Sequence, residues 1–511
     1  MGIEQICIII AIVAYLCVML YIGFFYSKKG SASSGSEFYL GGRTLGPVVT
    51  AMSAEASDMS SWLLMGLPGV AYLTGVADAT WTAIGLVVGT YLNWLIVAKR
   101  LRNYTVVAGN SITIPSFFSC RYKDDKNILT IISATFILIF FIPYTASGFK
   151  AIGTLFNSLF GFDYHIAMIV GAIIIIGYTA LGGFLAVSVT DLVQSIVMSI
   201  ALILIALFGL QCAGGLDVVA NNSQNLDGYI SLMNMHVNGE SQPYSILTIC
   251  SSMAWGLGYF GMPHILLRFM AIKDSNKLKI SRRIASIWVV ISMSAAILIG
   301  IVGYSVSLTD SIPLFENSSD SETVIIKLAG LLSTNGAFWA LIAGVVIAGI
   351  IASTMSTADS QLLTAASSVS ENLVQDVFKI KLSVKASTLI ARLAVVFIAL
   401  IAVVLAWDPN SSVFQIVSFA WAGFGAVFGP VMLCALFWKR SNKLGAIAGM
   451  ISGGIMVFVW KYLVKPLGGA FGIYELLPAF IVASIAIIVV SLITKAPSKE
   501  ICDEFEKAKA M

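Results

Sequence analysis

Long apolar stretches, separated by short polar loops, run through the whole chain. Each stretch has about 20 residues or more, and apolar and polar positions do not alternate within it. A spanning α-helix needs about 20 apolar residues, whereas a spanning β-strand needs about 10 and alternates. The pattern therefore predicts an all-α polytopic membrane protein. The thirteen predicted spans are about 3–26, 48–77, 79–98, 128–158, 164–183, 190–213, 245–271, 283–308, 328–356, 387–407, 412–438, 444–464 and 473–494.

The amino-acid composition agrees with a membrane protein. Of the 511 residues, 58% are hydrophobic and 11% are charged, whereas soluble domains are about 25% charged. The mean hydropathy is +0.92. The seven cysteines and three histidines are scattered, which argues against a disulfide framework and against a transition-metal site. The net charge of +4 arises from short loops, so nucleic acid is not an expected partner.

We expect any activity to lie among the helices. The chain shows no stretch polar enough for a soluble domain, and residues 495–511 form a short charged tail. It also lacks paired histidines, a nucleophile elbow and a metal cluster, so an enzyme is not predicted. No organic cofactor and no obligate protein partner are expected.

The loops between the predicted spans differ in charge. Lysines and arginines gather on one side, for example in 28–43, 99–126 and 273–283, whereas loops 214–244 and 309–326 on the other side contain none. Basic loops stay in the cytoplasm. With thirteen spans, this predicts a multi-pass plasma-membrane protein with its N-terminus outside and its C-terminus cytoplasmic.

Polar residues interrupt the second predicted span. Residues 54–69 read A-E-A-S-D-M-S-S-W-L-L-M-G-L-P-G and contain two carboxylates, Glu55 and Asp58. A carboxylate within a bilayer costs about 2.5 to 3.5 kcal/mol and usually faces a cavity or a partner. The stretch is a candidate functional site and a candidate helix break, which would free carbonyls for a cation. Alternatively, it is a packed polar turn in which Asp58 only caps a helix.

Glycine and proline interrupt the seventh predicted span. Residues 254–263 read A-W-G-L-G-Y-F-G-M-P, which makes a poor continuous helix. Two interrupted helices five spans apart indicate a transporter built from inverted repeats, with its site near the middle of the membrane. The alternative is a glycine-lined contact between helices.

A third stretch, residues 350–361, is rich in hydroxyl groups. Ser353 and Thr357 are four residues apart, as are Ser356 and Ser360, so hydroxyls share one face of a helix. Hydroxyl and carbonyl oxygens suit a hard cation. Serines in membrane helices also bond to their own backbone, so this cluster is weak evidence by itself.

Together, these stretches resemble the sodium/solute symporter family, and within it the transporters of proline. The resemblance also covers Y-L-G-G-R-T-L-G-P (39–47), Y-T-A-S-G (144–148) and G-G-F-L-A-V-S-V-T-D (182–191). It implies a LeuT-like core of two inverted five-helix repeats, 48–213 and 245–438. An extra helix at 1–27 would precede this core, and two helices at 444–494 and the cytoplasmic tail 495–511 would follow it.

The resemblance implies the residues of a sodium site. The ligands would be the carbonyls of Ala56, Met59 and Ser353 and the hydroxyls of Ser356 and Thr357. Asp58 resembles an aspartate that supports cation binding and coupling. Asp191 resembles a polar position linked to the ion path, and Arg43 a cytoplasmic arginine near the inner gate.

The resemblance also implies a proline pocket. Its residues would be Trp62, Gly66, Tyr144, Trp255, Tyr259 and Pro263. Aromatic faces can enclose a compact ring and its cationic nitrogen. The expected function is therefore sodium-coupled uptake of L-proline, with Na⁺ as the co-transported ion. Alternatives are another small amino acid or a carboxylate such as pantothenate, a proton-coupled variant, or a sensor or channel on the same fold.

Glu55 is not explained by the resemblance. It lies three residues before Asp58 and would share its face on an unbroken helix. One hypothesis gives Glu55 a role in ion choice or coupling, including coupling to protons. The interpretation we favour from the sequence is a salt bridge with Lys150.

Overall fold

The structure is a computed structural model that describes residues 2–29, 35–181, 183–380 and 382–511. Numbered in chain order, the α-helices of these residues are α1 (Ile3–Lys29), α2 (Gly35–Leu40), α3 (Pro47–Ser61), α4 (Leu67–Thr74), α5 (Val76–Leu92), α6 (Ala98–Val107), α7 (Ile114–Tyr122), α8 (Ile128–Phe160), α9 (Tyr164–Leu181), α10 (Phe184–Cys212), α11 (Leu216–Gln224), α12 (Ile246–Met253), α13 (Pro263–Ala271), α14 (Leu278–Ser307), α15 (Ser318–Ser321), α16 (Val324–Ser333), α17 (Ala337–Ser367), α18 (Val384–Leu405), α19 (Val413–Phe437), α20 (Lys443–Val459), α21 (Leu476–Ile493) and α22 (Lys499–Ala510).

A short antiparallel hairpin lies between α11 and α12. It consists of β1 (Asn234–Val237) and β2 (Glu240–Pro243), with Asn234 opposite Pro243. The two residues between the strands, Asn238 and Gly239, both have positive φ angles (51° and 85°). Such a pair forms the tight turn that matches the twist of a hairpin.

Ten helical stretches of the described residues are long and apolar enough to cross a membrane. The other three predicted spans correspond to α9 and to two interrupted pairs, α3–α4 and α12–α13. An interruption leaves each part of a pair shorter than the roughly 20 residues that a span needs. The all-α membrane architecture is confirmed, and the count of thirteen spans stays a prediction.

The limits predicted for the span at 328–356 are wrong. α16 ends at Ser333, and α17 begins after Gly336, whose φ of 109° favours glycine. α17 runs to Ser367 and continues as a π-helical stretch, Ser368–Val377. The hydroxyl-rich residues lower the local hydropathy, so the prediction ended the span too early. These residues lie near the middle of the continuous helix rather than at the end of a shorter one.

α3 and α17 lie at the centre of the molecule. α3 packs against α10, α14 and α17, and α17 also contacts α1, α8 and α10. Every residue from Thr50 to Ser61 in α3 is buried, as is every residue from Val346 to Ser367 in α17. The polar residues of both helices therefore face protein and not lipid, as polar groups in spanning helices usually do.

The C-terminal part packs on this core. α20 and α21 contact each other and α19, and α22 contacts α6. Phe505 of α22 lies edge-on to Tyr104 of α6, with ring centroids 6.2 Å apart. Lys123 pairs with Glu500 and Glu504 of α22 at 3.2 and 2.5 Å. Most of the predicted tail 495–511 is therefore a helix that is held against the bundle.

Candidate functional site

The chain breaks its helical path at Ser60, as the polar stretch at 54–69 predicts. Ser60 has φ 46° and ψ −172°, a backbone conformation that residues other than glycine rarely adopt. Its hydroxyl accepts a hydrogen bond from the backbone N–H of Trp62 at 3.1 Å. A π-helical turn, Trp62–Gly66, then leads into α4. The chain path therefore changes at Ser60, and the backbone N–H of Trp62 bonds to the carbonyls of Met59 and Ser60.

The oxygen atoms of α3 and α17 meet just before this break. The hydroxyl of Ser356 donates to the carbonyl of Ala56 at 2.8 Å, and that of Thr357 contacts the same carbonyl at 3.5 Å. Ser356 also contacts the carbonyl of Ser353 at 3.3 Å. The carbonyl of Met59 lies at the end of α3 and accepts from Trp62. The structure thus gathers Ala56, Ser353, Ser356 and Thr357 into a buried nest of neutral oxygens.

Asp58 links the broken helix α3 to the other interrupted element. Its Oδ2 accepts a hydrogen bond of 2.5 Å from the Tyr259 hydroxyl, and its carbonyl accepts one of 3.2 Å from Tyr144. Tyr259 belongs to a 3₁₀ stretch, Ala254–Phe260, that separates α12 from α13. Asp58 is only 5% exposed, so its carboxylate acts within the protein.

A small cavity of about 10 Å³ lies beside Asp58. Four residues of the predicted pocket line it, namely Trp62, Tyr144, Trp255 and Tyr259. The other lining residues are Asp58, Met59, Leu86, Val417 and Trp421. The wall is therefore mostly aromatic, with one carboxylate. Such a surface suits a small ligand with an apolar body and a cationic group.

Three lining residues, Leu86, Val417 and Trp421, were predicted neither for the pocket nor for the ion site. Val417 and Trp421 belong to α19, where Trp421 donates its indole N–H to the carbonyl of Trp255 at 2.8 Å. These residues are apolar and occur in mostly apolar helices, so no polar side chain marked them as part of a binding site. The glycines around Trp421 in F-A-W-A-G-F-G (419–425) were the available signal of a close helix contact.

Gly66 and Pro263 belong to the two breaks but are not among the residues that line the cavity. A Cβ atom on Gly66 would lie 3.3 Å from Trp62 Cδ1 and 3.4 Å from Phe414 Cβ. Gly66 therefore allows Phe414 to approach Trp62. Pro263 opens α13, where its missing N–H costs no hydrogen bond.

Aromatic rings cover one side of the cavity. The ring centroids of Trp62, Trp255 and Phe414 lie 5.4 to 5.9 Å from one another. Tyr474 stacks on Trp255 at 5.0 Å and 19°. Beyond this cover lies an open vestibule, which Trp255, Phe414 and Tyr474 also line. The cover separates the cavity from the vestibule.

Comparison with known proteins identifies the family. The sequence profile of the sodium:solute symporter family matches residues 38–453. The chain belongs to the sodium:solute symporter family. The sodium/proline symporter of Staphylococcus aureus strain USA300 is 41% identical over 510 residues, which cover 98% of this chain and 95% of the relative. The relative in strain COL matches over the same shares at the same identity.

Solved structures agree on the fold. A Na⁺-coupled sialic acid symporter, in a substrate-bound outward-open state, superposes with a TM-score of 0.79 at 17% identity, covering 98% of this chain and 99% of that one. Mhp1, a transporter of the nucleobase-cation-symport-1 family, gives 0.54 at 13% identity, with 93% and 99% covered. The predicted LeuT-like fold is confirmed.

In this symporter, Arg43 lies at the end of the bundle away from the aromatic cover. Its guanidinium donates to the carbonyls of Met270 and Ser111 at 2.7 and 2.9 Å. Beside it, Leu45 and Ile272 form a parallel β-bridge. Burial lowers the pKa of Arg43 to about 10, which leaves it charged at neutral pH. Arg43 thus ties the entry to α3 to the end of α13.

Asp191 does not contact the oxygen nest. It forms a buried ion pair with Arg268, 3.1 Å from Nη2 to Oδ2, and accepts from Ser53 at 2.6 Å. Arg268 also donates to Ser360 at 2.5 Å. Asp191 therefore connects α10 directly to Ser53 of α3, which lies one helical turn before Ala56. Through Arg268 it also connects α10 to α13 and α17.

The salt bridge that we predicted between Glu55 and Lys150 is wrong. Lys150 pairs with Glu322 at 3.6 Å, and both side chains are buried. Glu55 instead accepts a hydrogen bond of 3.1 Å from the indole N–H of Trp94, in the π-helical stretch Asn93–Val97 that follows α5. The prediction relied on charge sign and could not see that Glu55 faces the α5 side of α3, whereas Lys150 belongs to α8.

Proposed function

We propose that this chain is a secondary transporter that couples inward flow of Na⁺ to uptake of L-proline. The observation that carries the proposal is the juxtaposition, at one helix break, of an oxygen nest and an aromatic cavity lined by Asp58. The identity of 41% to sodium/proline symporters over 98% of the chain supports the choice of ion and substrate. By linkage, each ligand raises the affinity for the other.

The Na⁺ ion would bind in the nest. Its ligands would be the carbonyls of Ala56, Met59 and Ser353 and the hydroxyls of Ser356 and Thr357, all of which are buried. Neutral oxygens are suitable ligands for a hard monovalent cation, and the nearby charge of Asp58 offsets its charge. Ser356 and Thr357 would then turn their O–H groups away from the Ala56 carbonyl and direct a lone pair towards the ion.

Proline would bind in the cavity. Its ring would pack against Trp62, Trp255 and Tyr144, and its cationic nitrogen would face Asp58 and the aromatic rings. The cavity of about 10 Å³ has room for about one water molecule, so the rings around it would move apart to admit proline. The cover of Trp62, Trp255 and Phe414 would form the outer gate, and Arg43 with the Leu45–Ile272 bridge would form the inner gate.

The remaining sequence predictions belong to this proposal. The repeats would span 48–213 and 245–438, with 1–27 before them and 444–494 and 495–511 after them. The N-terminus would lie outside and the C-terminus in the cytoplasm, so that Arg43 faces the cytoplasm. Asp191 would support the ion path through Arg268.

Uptake of labelled proline into proteoliposomes that contain only this protein tests the proposal. We expect accumulation with an inward Na⁺ gradient and none when K⁺ replaces Na⁺. Trp255→Ala should raise the KM for proline by about 10-fold or more, because losing this ring from the cavity wall removes about 1.4 kcal/mol or more of binding free energy. Trp339→Ala is the matched control, because this tryptophan of α17 is 44% exposed and does not line the cavity.

Competition with unlabelled compounds tests whether proline is the substrate. An excess of unlabelled proline should abolish uptake, whereas pantothenate and larger amino acids should not. If another small amino acid blocks sodium-driven uptake better than proline does, the proposed coupling to sodium stands and the assignment of proline as the substrate is overturned. Failure to accumulate any of them from intact protein would overturn the transport proposal.

A further inference from the structure

Leu86 and Val417 line the cavity beside Asp58 but have no role in the function proposed so far. Leu86 belongs to α5 and Val417 to α19, and both side chains are buried. Apart from the flexible thioether of Met59, they are the only aliphatic side chains among the described residues that line this cavity. The carbon atoms of a substrate ring would therefore contact these two side chains wherever they do not contact an aromatic ring.

The cavity has to widen before it can hold proline, and the aromatic cover is the side on which it can do so. Among the described residues, the indole N–H of Trp62 has no hydrogen-bond partner. Phe414 has no polar group and borders the open vestibule. No hydrogen bond therefore fixes the rotamer of either ring, so both can move aside when a ligand enters.

The wall that carries Leu86 is held in place. α5 and the 3₁₀ stretch touch so closely that a Cβ atom on Gly89, three residues after Leu86, would clash with the backbone of Gly256. The side chain of Asn93, just after α5, donates a hydrogen bond of 3.0 Å to the carbonyl of Tyr259. If this wall moved outward, it would break a buried hydrogen bond and open a gap in a close contact, and both changes are unfavourable.

The wall that carries Val417 is held by the same 3₁₀ stretch. Trp421 lies one helical turn after Val417, and its indole N–H donates to the carbonyl of Trp255 at 2.8 Å. A Cβ atom on Gly258 would clash with the indole ring of Trp421, so no space separates them. Because valine is β-branched, the χ1 angle of Val417 is itself restricted within a helix. Leu86 and Val417 therefore face the cavity from two elements that are fixed to a third.

We propose that Leu86 and Val417 are specificity-determining residues that limit the ring of the substrate to five atoms. When the rings of Trp62 and Phe414 move aside, the two aliphatic side chains stay in place and set the remaining width of the site. A ring with one more methylene group overlaps with them, and a ring with one fewer leaves a gap. This inference rests on the proposed transport of proline and concerns the choice of substrate at that same site.

The test compares three cyclic amino acids that differ in ring size. Azetidine-2-carboxylate, proline and pipecolate have four, five and six ring atoms, and uptake of each is measured in the same proteoliposomes under an inward Na⁺ gradient. The readout is the ratio of kcat/KM for two substrates, which does not depend on the amount of active protein. We expect the unaltered protein to prefer proline to pipecolate by about 10-fold or more, because one methylene group in an apolar pocket changes this ratio by about 10- to 200-fold.

Substitutions of the two walls should move the preference in opposite directions. Val417→Ala removes two methyl groups and should raise the pipecolate-to-proline ratio by about 10-fold. Leu86→Val should raise it by less, because it removes one carbon atom. Val417→Ile adds a carbon atom and should raise the azetidine-2-carboxylate-to-proline ratio. Val427→Ala is the matched control, because this valine of α19 is also buried but does not line the cavity, so both ratios should stay unchanged.

The outcomes separate this inference from the proposed function. Proline uptake with ratios that do not change in Val417→Ala and Leu86→Val overturns the inference and leaves sodium-coupled proline transport intact. Equal use of pipecolate and proline by the unaltered protein, or an equal rise of the ratio in Val427→Ala, also overturns it. If Val417→Ala does not fold, Leu86→Val and Val417→Ile still test both directions. Absence of proline uptake by the unaltered protein under a Na⁺ gradient overturns both proposals.

Discussion

The two interrupted membrane elements break in different ways. Between α3 and α4 the chain turns at Ser60, a non-glycine residue in a glycine conformation, and the break lies among carboxylates and hydroxyls. Between α12 and α13 the chain follows a 3₁₀ stretch with Gly256 and Gly258, and the break lies among aromatic rings. The first break offers oxygen atoms, and the second offers ring faces.

In the function that we propose, this difference separates the roles of the two elements. Oxygens are what a hard cation needs, so the break in α3 would bind the ion. Ring faces suit an amino acid with a compact apolar body, so the 3₁₀ stretch would bind the substrate. The hydrogen bond between Asp58 and Tyr259, 2.5 Å long, connects the two. Substitutions at either break, or at the hydrogen bond that joins them, test this assignment.

The largest effect is expected at the second break. In Gly256→Ala the new Cβ would lie 2.2 Å from the carbonyl oxygen of Gly85, a backbone atom that cannot rotate away. The two elements must separate, and overpacking of this kind costs about 3 kcal/mol or more. We expect the purified protein to unfold at a clearly lower temperature and to lose transport.

Gly177→Ala is the matched control for this substitution. Gly177 lies in α9, and its Cβ would meet no atom within 4 Å. Its unfolding temperature should stay the same or rise slightly, because alanine favours a helix over glycine. Equal unfolding temperatures for Gly256→Ala and the unaltered protein would show that close backbone contact is not what the second break requires.

The next largest effect is expected at the hydrogen bond between Asp58 and Tyr259, which joins the two breaks. Asp58→Asn removes the charge but keeps an oxygen that can accept from Tyr259. We expect the Na⁺ concentration for half-maximal uptake to rise about 10- to 100-fold, as for other groups that support a metal ligand shell. At saturating Na⁺ the KM for proline should change much less. A larger change in the KM for proline than in the Na⁺ requirement would assign Asp58 to the substrate side of the comparison.

The oxygen nest was largely predictable from the sequence, whereas the cavity wall was not. Carboxylates and hydroxyls are costly in a membrane span, so Asp58, Ser356 and Thr357 stand out against an apolar background. Trp421 and Val417 do not stand out, because apolar residues are expected everywhere in such helices. Their place in the wall depends on the rotation of α19, which is set by packing and not by composition.

The same reasoning explains the errors. The predicted pairing of Glu55 with Lys150 depended on which way α3 and α8 face. The predicted limits of the span at 328–356 depended on where a polar stretch ends within a helix. Charge sign and hydropathy do not carry that information. The family resemblance predicted the LeuT-like fold but does not account for Glu55, whose partner, the indole N–H of Trp94, is visible only in the contacts of the structure.

A smaller effect is expected in the oxygen nest, the proposed ion site. Thr357→Ala removes one neutral oxygen from the nest, which contacts Ala56 at 3.5 Å. A hydrogen-bond-type interaction of about 1.5 kcal/mol corresponds to a rise of about tenfold in the Na⁺ concentration for half-maximal uptake. Thr364→Ala is the control, because this hydroxyl bonds to its own helix at Ser360. Equal Na⁺ dependence in both variants would exclude Thr357 as a ligand.

The smallest effect tests the conformation of the first break itself. Ser60→Gly and Ser60→Ala both remove the hydroxyl that accepts from Trp62, but only alanine keeps the strain of a φ of 46°. We expect the glycine variant to be more stable than the alanine variant by about 1 to 2 kcal/mol, measured by denaturant unfolding in detergent. At Ser61, with φ −61° and ψ −15°, the order should reverse by about 0.5 to 1 kcal/mol, because alanine then suits the helix better. If alanine were the more stable replacement at both positions, Ser60 would be an ordinary helical residue, and the two interrupted elements would differ in composition but not in backbone.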